Sequence, residues 1–74
     1  MLEASPIRAL RVTPRQEQIL SLVSQGETDK AIARLLGLSK STVRTHLQRC
    51  YRDNQFQNRS QAAALWSLAQ LTLS

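Results

Sequence analysis

Arg44, Thr45 and Gln48 bring three kinds of polar recognition within five residues. A guanidinium forks onto O6 and N7 of guanine, and a carboxamide pairs bidentately with adenine. A threonine offers its methyl to thymine and a hydroxyl that donates or accepts. Wound at 3.6 residues per turn, these residues cluster with Ser41 and Arg52, while Val43, Leu47 and Cys50 fall within a ~60° arc on the opposite side. Lys30, Lys40, Ser41, Thr42, Arg49 and Arg52 flank the cluster and suit phosphate oxygens, contacts that set register without reading sequence. Exposed N–H groups at a helix start near Ser41 and Thr42 add to that grip. Such a face has the chemistry to read base edges in the major groove of duplex DNA. Its bland alternative is a solvated helix surface.

The elements that hold this face are legible from their ends. Thr13-Pro14-Arg15-Gln16 reads as a capping box with proline at the first helical position, and Gln16, Ile19, Leu20 and Val23 share one side of the helix that follows. Gly26 is its expected stop. Thr28 caps a shorter helix with Asp29 in its first turn and Ile32, Ala33 and Leu36 on one side. Gly37-Leu38-Ser39 supplies a glycine, an apolar plug and a new cap, which together make a tight helix-turn-helix corner. The third helix carries the polar face. Gln55 to Arg59 is a polar connection anchored by Phe56, and Ser60 is expected to cap a fourth helix. That helix has two apolar stripes, Ala62, Leu65, Trp66 and Ala69 in one and Ala64, Leu68 and Leu71 in the other, more than one core contact needs. No strand pattern is present. The expectation is an all-α, four-helix domain containing a helix-turn-helix, with helices at about 13–24, 29–36, 40–53 and 60–71. Residues 1–11 are read as a flexible N-terminal arm and 12–74 as the domain.

Composition narrows the partner and removes other chemistries. The 74 residues carry ten Lys and Arg against five Asp and Glu, a net +5. Lys40, Arg44, Arg49, Arg52 and Arg59 against Asp53 place most of that excess between residues 38 and 59. A local basic cluster favours a polyanion, because neutralising phosphates releases counterions. One cysteine, Cys50, and one histidine, His46, supply neither a disulfide nor a four-ligand zinc site, so no metal site is expected. Two glycines make no phosphate-cradling loop, and no second histidine or paired carboxylates accompany His46. No catalytic residues, cofactor or small-molecule ligand are therefore expected. No run approaches the ~20 apolar residues of a membrane span and no signal peptide opens the chain, so the expected location is the cytoplasm, on the nucleoid when DNA is bound. His46 reads as a partly buried structural residue and Cys50 as a small core residue.

At Thr13-Pro-Arg-Gln16, Gln25-Gly26, Lys30-Ala-Ile-Ala33, Leu36-Gly-Leu-Ser39, Ser41-Thr-Val-Arg-Thr-His46 and Asn58-Arg-Ser-Gln-Ala62 the chain resembles the LuxR-type (GerE/NarL-like) helix-turn-helix domain of bacterial transcription regulators. The resemblance covers about residues 12–66. It implies a four-helix domain whose third helix reads the major groove and whose fourth often mediates dimerisation. It places the family's base contacts on Arg44, Thr45 and Gln48 and phosphate contacts on Lys30 and Thr42, among others. The chain departs from the usual pattern at Gln16 (Glu), Cys50 and Ala63 (large aliphatics), Asn54 (Leu), Gln55 (Gly), Phe56 (Val) and Trp66 (Ala). Cores tolerate swaps that conserve volume. Trp66 is thus expected to pack toward the end of the third helix and fill the space, and Asn54 to end that helix in a left-handed conformation.

The reading is a sequence-specific regulator of transcription that binds double-stranded operator or promoter DNA, as a homodimer through Ala64, Leu68 and Leu71. Cover by the N-terminal arm or another partner is the alternative for that stripe. RNA polymerase and a larger regulator are further candidate partners. Two rival functions stand beside it: an anti-activator that pairs with a larger LuxR-type regulator, and a promoter-reading region of a sigma-like factor.

Overall fold

The computed structural model describes residues 10–73. Four helices follow one another: α1 (Pro14–Ser24), α2 (Asp29–Leu36), α3 (Lys40–Asn54) and α4 (Arg59–Leu73). No strand occurs among the described residues. The all-helical, four-helix expectation is met, and the helix limits differ from the expected ones by no more than two residues at any end.

Local chemistry starts each helix. Thr13 is extended, with its hydroxyl accepting from the Gln16 N–H at 3.1 Å, and the Gln16 side chain accepts from the Thr13 N–H at 3.0 Å, completing the capping box. Thr28 accepts from the Ala31 N–H at 3.1 Å and Ser39 from the Thr42 N–H at 3.1 Å. At α4 the expectation needs correction. Asn58, not Ser60, is the cap: its carboxamide oxygen accepts from the Gln61 N–H at 2.8 Å, so Ser60 lies inside the first turn. Both are capping types two residues apart. The Gln61 side chain, which accepts from the Gln57 N–H at 2.7 Å, stabilises the earlier start.

The first three helices end alike. A left-handed residue closes each: Gly37 at φ 69° and Gln55 at φ 58° directly follow α2 and α3, and Gly26 at φ 89° follows α1 after one more right-handed residue, Gln25. The next N–H then closes on the carbonyl five residues back, Glu27 to Leu22 at 3.1 Å, Leu38 to Ala33 at 2.8 Å and Phe56 to Tyr51 at 2.8 Å. At the third, the Phe56 and Tyr51 rings meet edge to face with centroids 6.3 Å apart. The left-handed residue is therefore Gln55 and not Asn54, which is the last residue of α3. Asn54 has a different task. Its amide nitrogen donates to the Cys50 carbonyl at 2.9 Å and to the Arg11 carbonyl at 3.0 Å, while its oxygen accepts from the Arg11 N–H. This exchange ties the chain entering α1 to the end of α3. Leu10 and Val12 pack on the core beside it, whereas residues 1–9 of the expected arm lie outside the described residues.

One core holds the helices together. α1 lies against α4, α3 and α2, and α2 against α3. Ile19, Leu20, Ile32, Val43, Cys50 and Ala62 are fully buried, joined by Val23, Ala33, Leu47, Phe56 and Trp66. Each large aliphatic among them stabilises the fold by about 1.5–3 kcal/mol. Trp66 is buried, yet its expected direction needs adjusting: the indole N–H donates to the Ser21 hydroxyl of α1 at 3.2 Å, so the ring's polar edge is aimed at α1 rather than at the end of α3. Among the described residues every buried side-chain nitrogen and oxygen has a hydrogen-bond partner.

Candidate nucleic-acid interface

α3 divides between core and solvent as its spacing demands. Val43, Leu47 and Cys50 are buried, whereas Arg44, Thr45, Gln48, Arg49 and Arg52 are exposed. Fifteen residues make a rod of about 22 Å at 1.5 Å per residue. His46 is half-buried between the two sides.

The start of α3 carries linked hydroxyls. The Ser39 hydroxyl lies 2.8 Å from that of Thr42 and 3.2 Å from that of Ser41, and Lys40 and Ser41 are exposed beside them. The Thr45 hydroxyl donates to the Ser41 carbonyl at 2.9 Å. Its proton is thereby used inside the helix, and what Thr45 presents outward is a methyl and an acceptor oxygen.

The structure brings Lys30, Lys40 and Arg44 together around one open recess of about 360 Å³, with Gly26, Glu27, Thr28, Asp29 and Arg59 completing its wall. Arg49 and Arg52 do not line it. Arg52 lies 3.6 Å from Asp53 in an exposed pair, which contributes little. Within the recess is a feature the sequence reading left out. Arg59 donates through one terminal nitrogen to Asp29 Oδ1 at 2.6 Å and through the other to the Glu27 carbonyl at 2.8 Å. The second Asp29 oxygen lies 3.5 Å from Nε of Arg44. Thirty residues separate Asp29 from Arg59, so spacing offered no signal. A carboxylate opening α2 amid basic side chains was the one hint, and it reads equally well as a helix-dipole charge.

Burial pushes the Cys50 thiol up to about 11 from its ordinary 9.0; the Asn54 hydrogen bond opposes the rise and the Asp53 charge adds to it. Tyr51 is raised as well, by burial first, with the Arg59 charge pulling it down. Neither group is poised for chemistry near neutral pH. Among the described residues no three His, Cys, Asp or Glu side chains gather closely enough to hold a metal ion. No helix of those residues is long and apolar enough to cross a membrane.

Comparison with known proteins decides the family. The model of the luxR family of bacterial regulatory proteins matches residues 11–66. The chain belongs to the LuxR family. It is similar to the putative HTH-type transcriptional regulator YhjB of Escherichia coli K12, 38% identical over 58 residues that make up 78% of this chain and 29% of that protein. It is also similar to the nitrate/nitrite response regulator protein NarL of the same organism, 38% identical over 53 residues, 72% of this chain and 24% of NarL. The transcriptional activator protein BjaR1 of Bradyrhizobium diazoefficiens is 34% identical over 65 residues, 88% of this chain and 27% of BjaR1. The chain thus spans less than a third of the length of each. Membership makes it a helix-turn-helix domain of a DNA-binding, transcription-regulating family, and α2 with α3 forms the LuxR-type helix-turn-helix.

Proposed function

We propose that this LuxR-family domain recognises a sequence in double-stranded DNA and regulates transcription by placing α3 in the major groove. Arg44, Thr45 and Gln48 read base edges. Lys30, Lys40, Ser41, Thr42, Arg49 and Arg52 hold phosphates. The observation that carries this reading is the exposure of all three reader side chains on one side of a helix whose other side is sealed into the core. Thr45, with its hydroxyl proton engaged, is suited to a thymine methyl. The fourth helix adds a homodimer contact through Ala64, Leu68 and Leu71: Leu68 is 47% and Leu71 74% exposed, large apolar side chains on one stripe outside the core. A two-fold pair would favour an inverted repeat with half-sites about 10 base pairs apart. The site of action is the cytoplasm, on the nucleoid.

Selection of bound duplexes from a random DNA pool, followed by anisotropy titrations, tests the reading. Arg44→Ala should cost about 1–3 kcal/mol on the selected duplex and relax one base step, whereas Lys30→Ala should weaken all duplexes alike and lower the salt slope by about one. Equal losses on selected and random DNA for Arg44→Ala would remove the base-reading role. Affinity confined to the non-specific ~10⁻⁴–10⁻⁶ M would favour a protein-pairing function instead. Sedimentation that shows only monomer on the selected duplex would remove the dimer.

A further inference from the structure

The Arg59–Asp29–Arg44 chain does more than balance charge in the recess. Arg59 is held at both terminal nitrogens, by Asp29 Oδ1 at 2.6 Å and by the Glu27 carbonyl at 2.8 Å. That fork fixes the Asp29 side chain, which is only 17% exposed. The other Asp29 oxygen faces Nε of Arg44 at 3.5 Å, while the Arg44 side chain is itself 61% exposed. A contact through Nε leaves the two terminal nitrogens of Arg44 for an end-on, bidentate approach to a base. Exposed arginines lose rotamer freedom when they are fixed, and a carboxylate that limits them beforehand lowers that cost at binding.

We infer that Asp29 is a positioning residue for Arg44, set in place by Arg59, and that it contributes to sequence discrimination without touching DNA. The inference rests on the proposed role of Arg44 as a base reader. It separates two effects of one carboxylate. Toward phosphates, a negative charge beside Lys30 and Lys40 opposes binding to any duplex. Toward Arg44, it favours the geometry that only the correct base rewards. Losing the charge should therefore strengthen non-specific binding and weaken the selected complex, a pair of opposite changes that loss of fold does not produce.

The experiment is a double-mutant cycle of Asp29→Asn and Arg44→Ala. The selected duplex and a random duplex of equal length are titrated by anisotropy, and folding is checked by circular dichroism. Asp29→Asn should lower the ratio of selected to random affinity by about fivefold, the scale of coupling between contacting residues. In the Arg44→Ala background the same substitution should leave that ratio unchanged. If Asp29→Asn is poorly folded, Asp29→Ser, an uncharged residue suited to a helix start, repeats the measurement. Equal changes on both duplexes, or a fall in the ratio that persists without Arg44, would overturn the positioning role while leaving Arg44 as reader. An Arg44→Ala variant that keeps the wild-type ratio would overturn the reader assignment, and the positioning role with it.

Discussion

Replacing Gln55 by glycine should stabilise the domain. Gln55 holds φ 58°, ψ 33° at the end of α3, the same turn of chain that Gly26 and Gly37 supply after α1 and α2. Space does not separate these positions, since a Cβ built on either glycine meets nothing within 4 Å. Conformation does. A left-handed backbone brings the Cβ of an L-residue against its own carbonyl, at about 1–2 kcal/mol. Glycine escapes that cost but is freer in the unfolded chain, which takes back about 0.4–1 kcal/mol. Gln55 is exposed, so its side chain adds no core packing to the balance. The net gain is about 0.5–1 kcal/mol, worth a rise in Tm of about 2–8 °C in a domain of this size. Thermal unfolding followed by circular dichroism measures it, with Gln55→Val as the opposing control because a β-branched residue suits the left-handed region least. DNA affinity should not change, since Gln55 lies outside the proposed contacts. A lower Tm for Gln55→Gly would refute the reasoning and show that the glutamine side chain supports the turn by more than its backbone strain costs.

Two further perturbations test the C-terminal end of α3. Asn54→Ala removes four hydrogen bonds, two of them to Arg11 and two to Cys50, and should cost about 1–2 kcal/mol in urea unfolding while stripping protection from the Arg11 amide in hydrogen exchange; retained protection at Arg11 would contradict the tie between the two segments. The Cys50 thiol, raised to about 11, should hold about a hundredfold less thiolate near neutral pH than the unfolded chain and label correspondingly slowly with iodoacetamide. The same shift stabilises the fold fully below pH 9, and that contribution should fade as pH rises through 11; stability that climbs across this interval would have the wrong sign.

What the sequence conveyed, and what it hid, follows the reach of each interaction. Thr13, Thr28 and Ser39 were legible as caps because each bonds an N–H three residues away. The burial of Val43, Leu47 and Cys50 was legible because a helix repeats its own period. Errors arose where a distant partner chose between two local options. Asn58 and Ser60 both suit a helix start, and with Asn58 as cap Arg59 becomes the first residue of α4, joined to Asp29. Asn54 suits a left-handed turn, but its amide is engaged by Arg11, 43 residues earlier, and the turn passes to Gln55. Trp66 was legible as a large residue needing space, while its direction depended on Ser21 of another helix.

The net charge acquires a finer meaning once those distant partners are known. The basic excess between residues 38 and 59 suggests that each arginine there is equally available to phosphate. Arg59 is not, because both of its terminal nitrogens are engaged within the protein. Nor is Asp29 simply a charge subtracted from the total. Four cations around one recess repel one another in the free domain, and a carboxylate between two of them offsets part of that repulsion without covering Lys30 or Lys40. Counterion release counts contacts made, not charges carried. The salt dependence of binding should therefore be set by the cations free to reach phosphate, and under the positioning role inferred above the cation fixed inside the recess acts on recognition only through the carboxylate it holds.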